Sequence, residues 1–170
     1  MKLYRFSPIK NQEELLRAIE YIHFACYRLC NNSFGKSLPN AGNVGVFCHY
    51  DEEYATLTEL RKGLTEASDN FNQKYFRLHK PITIAGKDNI PETTYAYLYI
   101  RKPDPYRSQV GDIDFYLEPE EHSKLKKDLP PGARLFDRQD LDMVELYDPD
   151  VDALAYVSDY KMTEKVRTKQ

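Results

Sequence analysis

The sequence predicts an α+β fold, in which a mostly antiparallel or mixed sheet carries two longer helices and one short helix packed mainly on one face. Two segments show the apolar spacing of amphipathic helices, and several others alternate apolar and polar residues as half-buried strands do. The strands after Tyr75 are joined by connections too short for parallel crossovers. Together these observations favour an α+β fold with antiparallel pairing.

Length and composition limit the organisation of the chain. At 170 residues we expect one domain over residues 1–160, followed by a polar and flexible tail over residues 161–170. No internal sequence repeat is present. The balance of 24 basic to 27 acidic residues gives no general attraction to nucleic acid or to a membrane surface.

The first long helix is the clearest local prediction. Residues 3–6 are expected to form a short strand before it. Asn11 with Glu14 three residues later is typical of a helix start, and the helix is expected to end near Cys30. Its buried stripe has four-three-four-three spacing and comprises Leu15, Ile19, Ile22, Cys26 and Leu29.

The segment that follows predicts a loop, a buried strand and a second helix. Residues 33–43 contain two glycines and a proline and are expected to form the loop. Residues 44–50 are apolar on both faces, as expected for a strand inside a sheet. Asp51 is expected to cap the second helix, and a flexible loop is predicted over residues 65–74.

The second half of the chain predicts mostly strands. Residues 75–84 form a strand candidate in which Pro81 indicates a bulge or a sheet edge. Pro119 suits the first turn of a short helix. Residues 141–147 and 153–157 predict two further strands.

Residues 95–118 predict a hairpin whose second face is polar. If its strands pair, Ile100 lies opposite Ile113, and Arg101 lies opposite Asp112. Period-two alternation places tyrosines and charged residues on the face away from the core. The loop between the strands holds two prolines, which lower the entropy lost on binding.

This polar face and its loop are the predicted working surface. The leading hypothesis is a binding or interaction module that recognises a polar small molecule or a partner protein. The candidate ligand-binding residues are Tyr95, Tyr97, Tyr99, Arg101, Tyr106, Arg107 and Tyr116. Single-stranded nucleic acid is a less favoured ligand because acidic residues share the face.

The alternative hypothesis is a metal-dependent phosphoryl-transfer or hydrolytic enzyme. Asp112 and Asp114 alternate onto one face of a strand, where two carboxylates can share a divalent ion. Arg101 or Arg107 would then hold a phosphate. The competing structural interpretation pairs Arg101 with Asp112 and Tyr99 with Asp114 on an ordinary solvated face.

A zinc site is a second metal hypothesis with less support. His23, Cys26 and Cys30 fall along one side of the first helix, but no Cys-x-x-Cys motif accompanies them. Buried cysteines more often act as small apolar residues. No cofactor is therefore expected, and a divalent metal is only an alternative.

The remaining expectations concern location and assembly. The chain shows no stretch that could span a bilayer and no signal-peptide pattern. The three cysteines follow no disulfide framework, so reduced thiols and a cytoplasmic location are expected. A homodimer through the tyrosine-rich face is a further possibility for this sequence.

Overall fold

The computed structural model describes residues 4–70, 73–138 and 141–162. It is an α+β structure with a seven-stranded mixed sheet. The helices are α1 (Gln12–Phe34), α2 (Asp51–Leu64) and α3 (Pro119–Lys127). The strands are β1 (Asn40–Phe47), β2 (Phe76–Ile84), β3 (Thr93–Arg101), β4 (Gly111–Leu117), β5 (Ala133–Arg138), β6 (Leu141–Leu146) and β7 (Leu154–Asp159).

The strand order is β2-β3-β1-β4-β7-β6-β5. The pairs β1 with β3 and β4 with β7 are parallel, and the other neighbours are antiparallel. Both parallel pairs join strands that are distant in sequence, with a helix between them. The sheet is therefore mixed, as the broader form of the prediction allowed.

The predicted hairpin between β3 and β4 is wrong, because β1 lies between these two strands. Val44 of β1 is paired with Leu98 on one side and with Ile113 on the other. A strand that is apolar on both faces gains most from this central place, where both of its edges are hydrogen-bonded. The connection over residues 102–110 is long enough to cross β1, since two strand spacings measure only about 10 Å.

Helix α1 begins as predicted and runs further than predicted. Asn11 accepts a hydrogen bond from the Glu14 backbone N–H, and the Glu14 carboxylate accepts one from the Lys10 backbone N–H. The helix continues past Cys30 to Phe34 and ends at Gly35, which adopts a left-handed conformation with φ of 68°. The predicted loop is correspondingly short, because the stop depends on this glycine rather than on the asparagines before it.

Two further strand predictions have different outcomes, and one strand was not predicted. Residues 4–6 form bends, not a strand, so that prediction is wrong within the described residues. Strand β2 lies at the sheet edge, and its register with β3 shifts between Arg77 and Ile82, as Pro81 indicated. Strand β5 was not predicted.

The helices pack on one face of the sheet. A side chain added at Gly111 of β4 would meet Ile22 of α1. Leu57 of α2 and Leu125 of α3 belong to the same buried cluster, together with Val44 of β1. Since side chains alternate along a strand, the neighbours of these core residues point to the opposite face.

The order of elements contains a repeated topology. Each of the units β1-α2-β2-β3 and β4-α3-β5-β6-β7 begins with a strand, crosses over through a helix and returns by antiparallel strands. In each unit the last strand lies parallel to the first. The first strands of the two units, β1 and β4, pair antiparallel and join the halves of the sheet.

Within the described residues, no helix is long and apolar enough to cross a membrane. The predicted flexible tail lies outside the described residues, apart from Lys161 and Met162.

Candidate functional site

The sheet face opposite the helices is polar at its centre. We call this surface the polar face and define it by Asn43, Tyr99, Asp112, Asp114 and Glu145. Strand register sets its layout, since Gly45 of β1 lies between Tyr99 and Asp112. Asp114 is aligned with Tyr156 of β7, and Tyr156 is aligned with Glu145 of β6.

The two aspartates of β4 share this face, as alternation predicted, but they are buried. Asp112 is 7% exposed and Asp114 is 3% exposed. Asp114 accepts hydrogen bonds from Asn43 Nδ2 at 3.1 Å and from the Tyr75 hydroxyl at 3.3 Å. Oδ1 of Asp112 has no hydrogen-bond partner among the described residues.

The competing structural interpretation, in which this face is an ordinary solvated one, is therefore wrong. Arg101 pairs with Asp104 at 2.8 Å instead of with Asp112. Asp112 lies over Gly45, where even one added methyl group would overlap its Oδ1. The absence of a side chain at Gly45 makes room for a carboxyl group inside the sheet surface.

Burial changes the protonation of Asp112. Loss of solvation, with the neighbouring charge of Asp114, raises the pKa of Asp112 to about 8. The positive charges of Arg101 and Arg107 oppose this shift only in part. Burial thus favours the protonated form of Asp112, and it likewise raises the pKa of Tyr99 to about 12.

Glu145 is the third buried acid of the polar face, and it is neutralised by two arginines. It is 1% exposed. Arg107 Nη1 lies 3.3 Å from its Oε2, and Arg134 Nε donates to its Oε1 at 2.7 Å. Glu145 thus anchors the loop over residues 102–110 to strand β6.

A cavity of about 540 Å³ opens beside the polar face, between α2, the start of β2 and the end of β3. Four of its lining residues are basic, whereas one is acidic. The charged lining residues are Arg61, Lys74, Arg101, Lys102 and Asp104. The chain as a whole has a formal net charge of −3, so this cavity is a local concentration of positive charge.

Aromatic rings accompany the basic groups in the cavity. The Arg61 guanidinium lies 3.5 Å from the centre of the Phe76 ring, and the Lys102 amine lies 5.9 Å from the centre of the Tyr54 ring. Cations at these positions are attracted to the ring faces. The rings thereby help to fix where the positive charges stand.

The loop at the rim of the cavity is held by Asp104. Its carboxylate accepts from Arg101 and, at 2.9 Å, from the Tyr106 backbone N–H. Its carbonyl oxygen accepts from the Arg107 backbone N–H at 3.0 Å. Pro103 and Pro105 fix the backbone on either side, so the loop is ordered before any ligand arrives.

Five of the seven predicted ligand-binding residues separate into three groups, and a sixth, Tyr97, is paired with Asn43 of the polar face. Tyr99, Arg101 and Tyr106 line the cavity. Arg107 lies on the polar face with Glu145. Tyr116 lies elsewhere, beside Tyr160, at ring centres 6.0 Å apart.

Tyr95 does not share the face of Tyr99. Its hydroxyl is 2.8 Å from His23 Nδ1 of α1, and the residue is fully buried. The register irregularity between β2 and β3 falls between Tyr95 and Tyr97. Strict alternation fails at this point, which is why the tyrosine stripe predicted from the sequence is broken.

The residues of the zinc hypothesis have separate partners. His23 contacts Tyr95, the Cys26 thiol donates to the Leu154 carbonyl at 3.0 Å, and Cys30 Sγ accepts from the Leu38 N–H at 3.3 Å. The cysteines, including Cys48, are free and buried. In the described part of the chain, no three His, Cys, Asp or Glu residues are grouped so that they could hold a metal ion.

Several residues of the site had no sequence signal. Glu145 comes from strand β6 and Tyr75 from the segment just before β2, and only the long-range arrangement of the sheet brings them beside Asp112 and Asp114. Arg61 and Lys74 reach the cavity from a helix and a loop whose charges looked like ordinary surface residues. The sequence gives one indication of the cavity lining, because the spacing of Tyr54, Thr58 and Arg61 places them on one face of α2.

A second cavity, of about 520 Å³, has the opposite charge. Asp51, Glu52 and Glu53 line it at the start of α2, and Pro103 is shared with the basic cavity. The Glu53 carboxylate also accepts from the Ile9 and His49 backbone N–H groups. Part of this acidic surface thus holds the N-terminal segment in place.

Comparison with known proteins assigns no family. No protein-family model and no curated protein matches the chain. Two variants of Streptomyces coelicolor methylmalonyl-CoA epimerase in complex with 2-nitronate-propionyl-CoA are 16% identical to this chain, with a TM-score of 0.32, and the match covers 72% of this chain and 99% of theirs. A methylmalonyl-CoA epimerase in complex with methylmalonyl-CoA and NH4+ is also 16% identical, with a TM-score of 0.32 over 72% of this chain and 96% of its own. These values are too low to carry functional inference, so the function is argued from the residues of this chain.

Proposed function

We propose that the protein is a binding module for a small anionic molecule, held in the basic cavity between α2 and the loop over residues 102–110. The supporting observation is the charge of that cavity, where four basic residues face one acidic residue that is itself paired with Arg101. A volume of about 540 Å³ lies within the range of small-molecule sites.

The order of the loop also supports this proposal. Asp104 already holds Arg101 and the backbone at Tyr106, so little entropy is lost when a ligand binds there. A phosphate or carboxylate group in the cavity would meet charges of the right sign with their positions set in advance. Charge-assisted hydrogen bonds of this kind are among the stronger ones in proteins.

The experiment is isothermal titration calorimetry with pyrophosphate, on the parent and on Lys102→Gln. Loss of one charge-assisted contact, about 1.5 kcal/mol, should weaken binding roughly tenfold. Lys80→Gln, at an exposed position of β2 outside the cavity, is the matched control and should bind as the parent does. Binding should also weaken as salt is added.

The outcome that contradicts the proposal is equally clear. If the two variants bind pyrophosphate alike, or if the parent does not bind it at low salt, the cavity is not an anion site.

The second candidate function is a metal-dependent phosphoryl-transfer or hydrolytic enzyme that uses Asp112 and Asp114. It is favoured by a pair of buried carboxyl groups with a strongly raised pKa at Asp112, which is common at active sites.

Asp112 must first lose its proton, so Mg²⁺ or Mn²⁺ should raise the thermal midpoint more at pH 9 than at pH 6.5. Asp112→Asn should abolish that difference, whereas Asp69→Asn, at an exposed loop position, should keep it. A midpoint unchanged by either ion at pH 9 would exclude the metal mechanism.

A further inference from the structure

The exposed ring of Tyr106 narrows the class of ligand. Tyr106 is 92% exposed although it lines the basic cavity. Among the described residues, no other ring and no cation contacts its side chain, unlike the rings of Tyr54 and Phe76, which lie against Lys102 and Arg61. A large planar group in water at the rim of a cavity is a surface on which another ring can stack.

Hydrogen bonds hold the backbone that carries this ring. The Tyr106 N–H donates to the Asp104 carboxylate, and the Arg107 N–H donates to the Asp104 carbonyl. Pro105 precedes the tyrosine and limits the backbone further. The Tyr106 backbone and the Arg101 guanidinium are therefore held beside each other by the same carboxylate, and the tyrosine ring extends into solvent from this anchored segment.

We propose that the ligand of the basic cavity is a nucleoside monophosphate or a close analogue, whose planar heteroaromatic ring stacks on Tyr106 while its phosphate binds Arg101 and Lys102. This inference rests on the proposed function, because it assumes that the cavity binds anions. It adds that the anion carries an aromatic ring. The competing occupant of Tyr106 is a partner protein. In that case this chain should bind small anions with and without an aromatic ring equally tightly.

The test compares three probes by titration calorimetry at low salt: adenosine monophosphate, ribose 5-phosphate and adenosine. Stacking of one base on an aromatic side chain should make adenosine monophosphate bind at least about fivefold more tightly than ribose 5-phosphate. Tyr106→Ala should remove this difference and leave the affinity for ribose 5-phosphate unchanged. Tyr106→Phe should keep the difference, since it keeps the ring.

A matched control is available in Tyr160→Ala, because Tyr160 is also an exposed tyrosine but lies away from the cavity, beside Tyr116. It should behave as the parent with all three probes. The high exposure of Tyr106 means that its replacement removes little packing, so altered binding would not reflect misfolding.

The outcomes separate the two proposals. Equal affinity for adenosine monophosphate and ribose 5-phosphate would overturn the aromatic inference and leave the anion site standing. Adenosine that binds as tightly as adenosine monophosphate would overturn the role of the phosphate. If neither phosphate compound binds the parent, the nucleotide inference is wrong, and the pyrophosphate titration separately decides whether the anion site stands.

Discussion

At the scale of single residues, Gly45 and Asp112 determine the character of the polar face. Gly45 lies in a central strand, where glycine ordinarily weakens a sheet because it has no side chain to pack. Here the missing side chain leaves the space that the Asp112 carboxyl group occupies. A buried acid with a raised pKa is thus a consequence of one small residue on the neighbouring strand.

Gly45→Ala should therefore destabilise the protein. The added methyl group overlaps Asp112 Oδ1, and overpacking of this kind costs about 1–3 kcal/mol in the free energy of unfolding. Gly63→Ala is the control, because nothing lies within 4 Å of the added methyl group on helix α2 and the change should stabilise by about 0.5–1 kcal/mol. Urea unfolding of both variants gives the two values, and a Gly45→Ala variant as stable as the parent would show that Asp112 can move aside.

Asp112 should also make stability depend on pH in an unusual direction. Its pKa rises from an ordinary value of 3.8 to about 8 in the folded state, so between these values the folded state binds a proton that the unfolded chain has released. This contribution is fully present below pH 4, is lost as the pH rises to 8, and then stays constant. The free energy of unfolding should fall by up to about 1.4 kcal/mol per pH unit from this group alone.

The measurement is the difference in unfolding free energy between the parent and Asp112→Asn at several pH values, because groups that do not interact with Asp112 titrate equally in both. His23, for instance, has its pKa lowered to about 4 by burial and acts in the opposite direction. A difference that stays flat from pH 4 to pH 8 would mean that Asp112 is ionised throughout.

At the scale of elements, local chemistry is easier to predict than pairing. The start of α1 follows from Asn11 and Glu14, and the edge position of β2 follows from Pro81. The hairpin failed because alternation defines which residues share a face but not which strand lies next to it. For the same reason Asp112 and Asp114 were placed on one face correctly. Glu145 and Gly45 come beside them through long-range strand register, and Tyr75 reaches Asp114 from the segment before β2.

The end of α1 gives a prediction about one element. Gly35 has φ of 68°, and its N–H donates to the Asn31 carbonyl at 2.8 Å. Nothing lies within 4 Å of an added methyl group, so Gly35→Ala changes backbone strain without a steric clash. The expected loss is about 1 kcal/mol in the free energy of unfolding, measured by urea titration. If the free energy of unfolding is unchanged and the last backbone amides of α1 lose their protection from hydrogen exchange, then α1 ends one turn earlier in the variant.

At the scale of the whole molecule, the two repeated units share a single core. Strands β1 and β4 join them, and α1 contacts β4 and β7 of one unit as well as β1 of the other. The repetition is invisible in the sequence because the units share topology without sharing residues, and the second has an additional strand. We infer that α1 couples the two units during unfolding.

Hydrogen exchange followed by mass spectrometry tests this coupling. The backbone amides of β1 and β4 should exchange most slowly, because these strands are hydrogen-bonded on both edges and buried under α1. Strands β2 and β5 should exchange sooner, since each is paired on one edge. If α1 couples the units, β1 and β4 lose protection together as urea is raised. Separate loss of protection in β1 with β3 and in β4 with β7 would show instead that each strand–helix–strand unit is stable by itself.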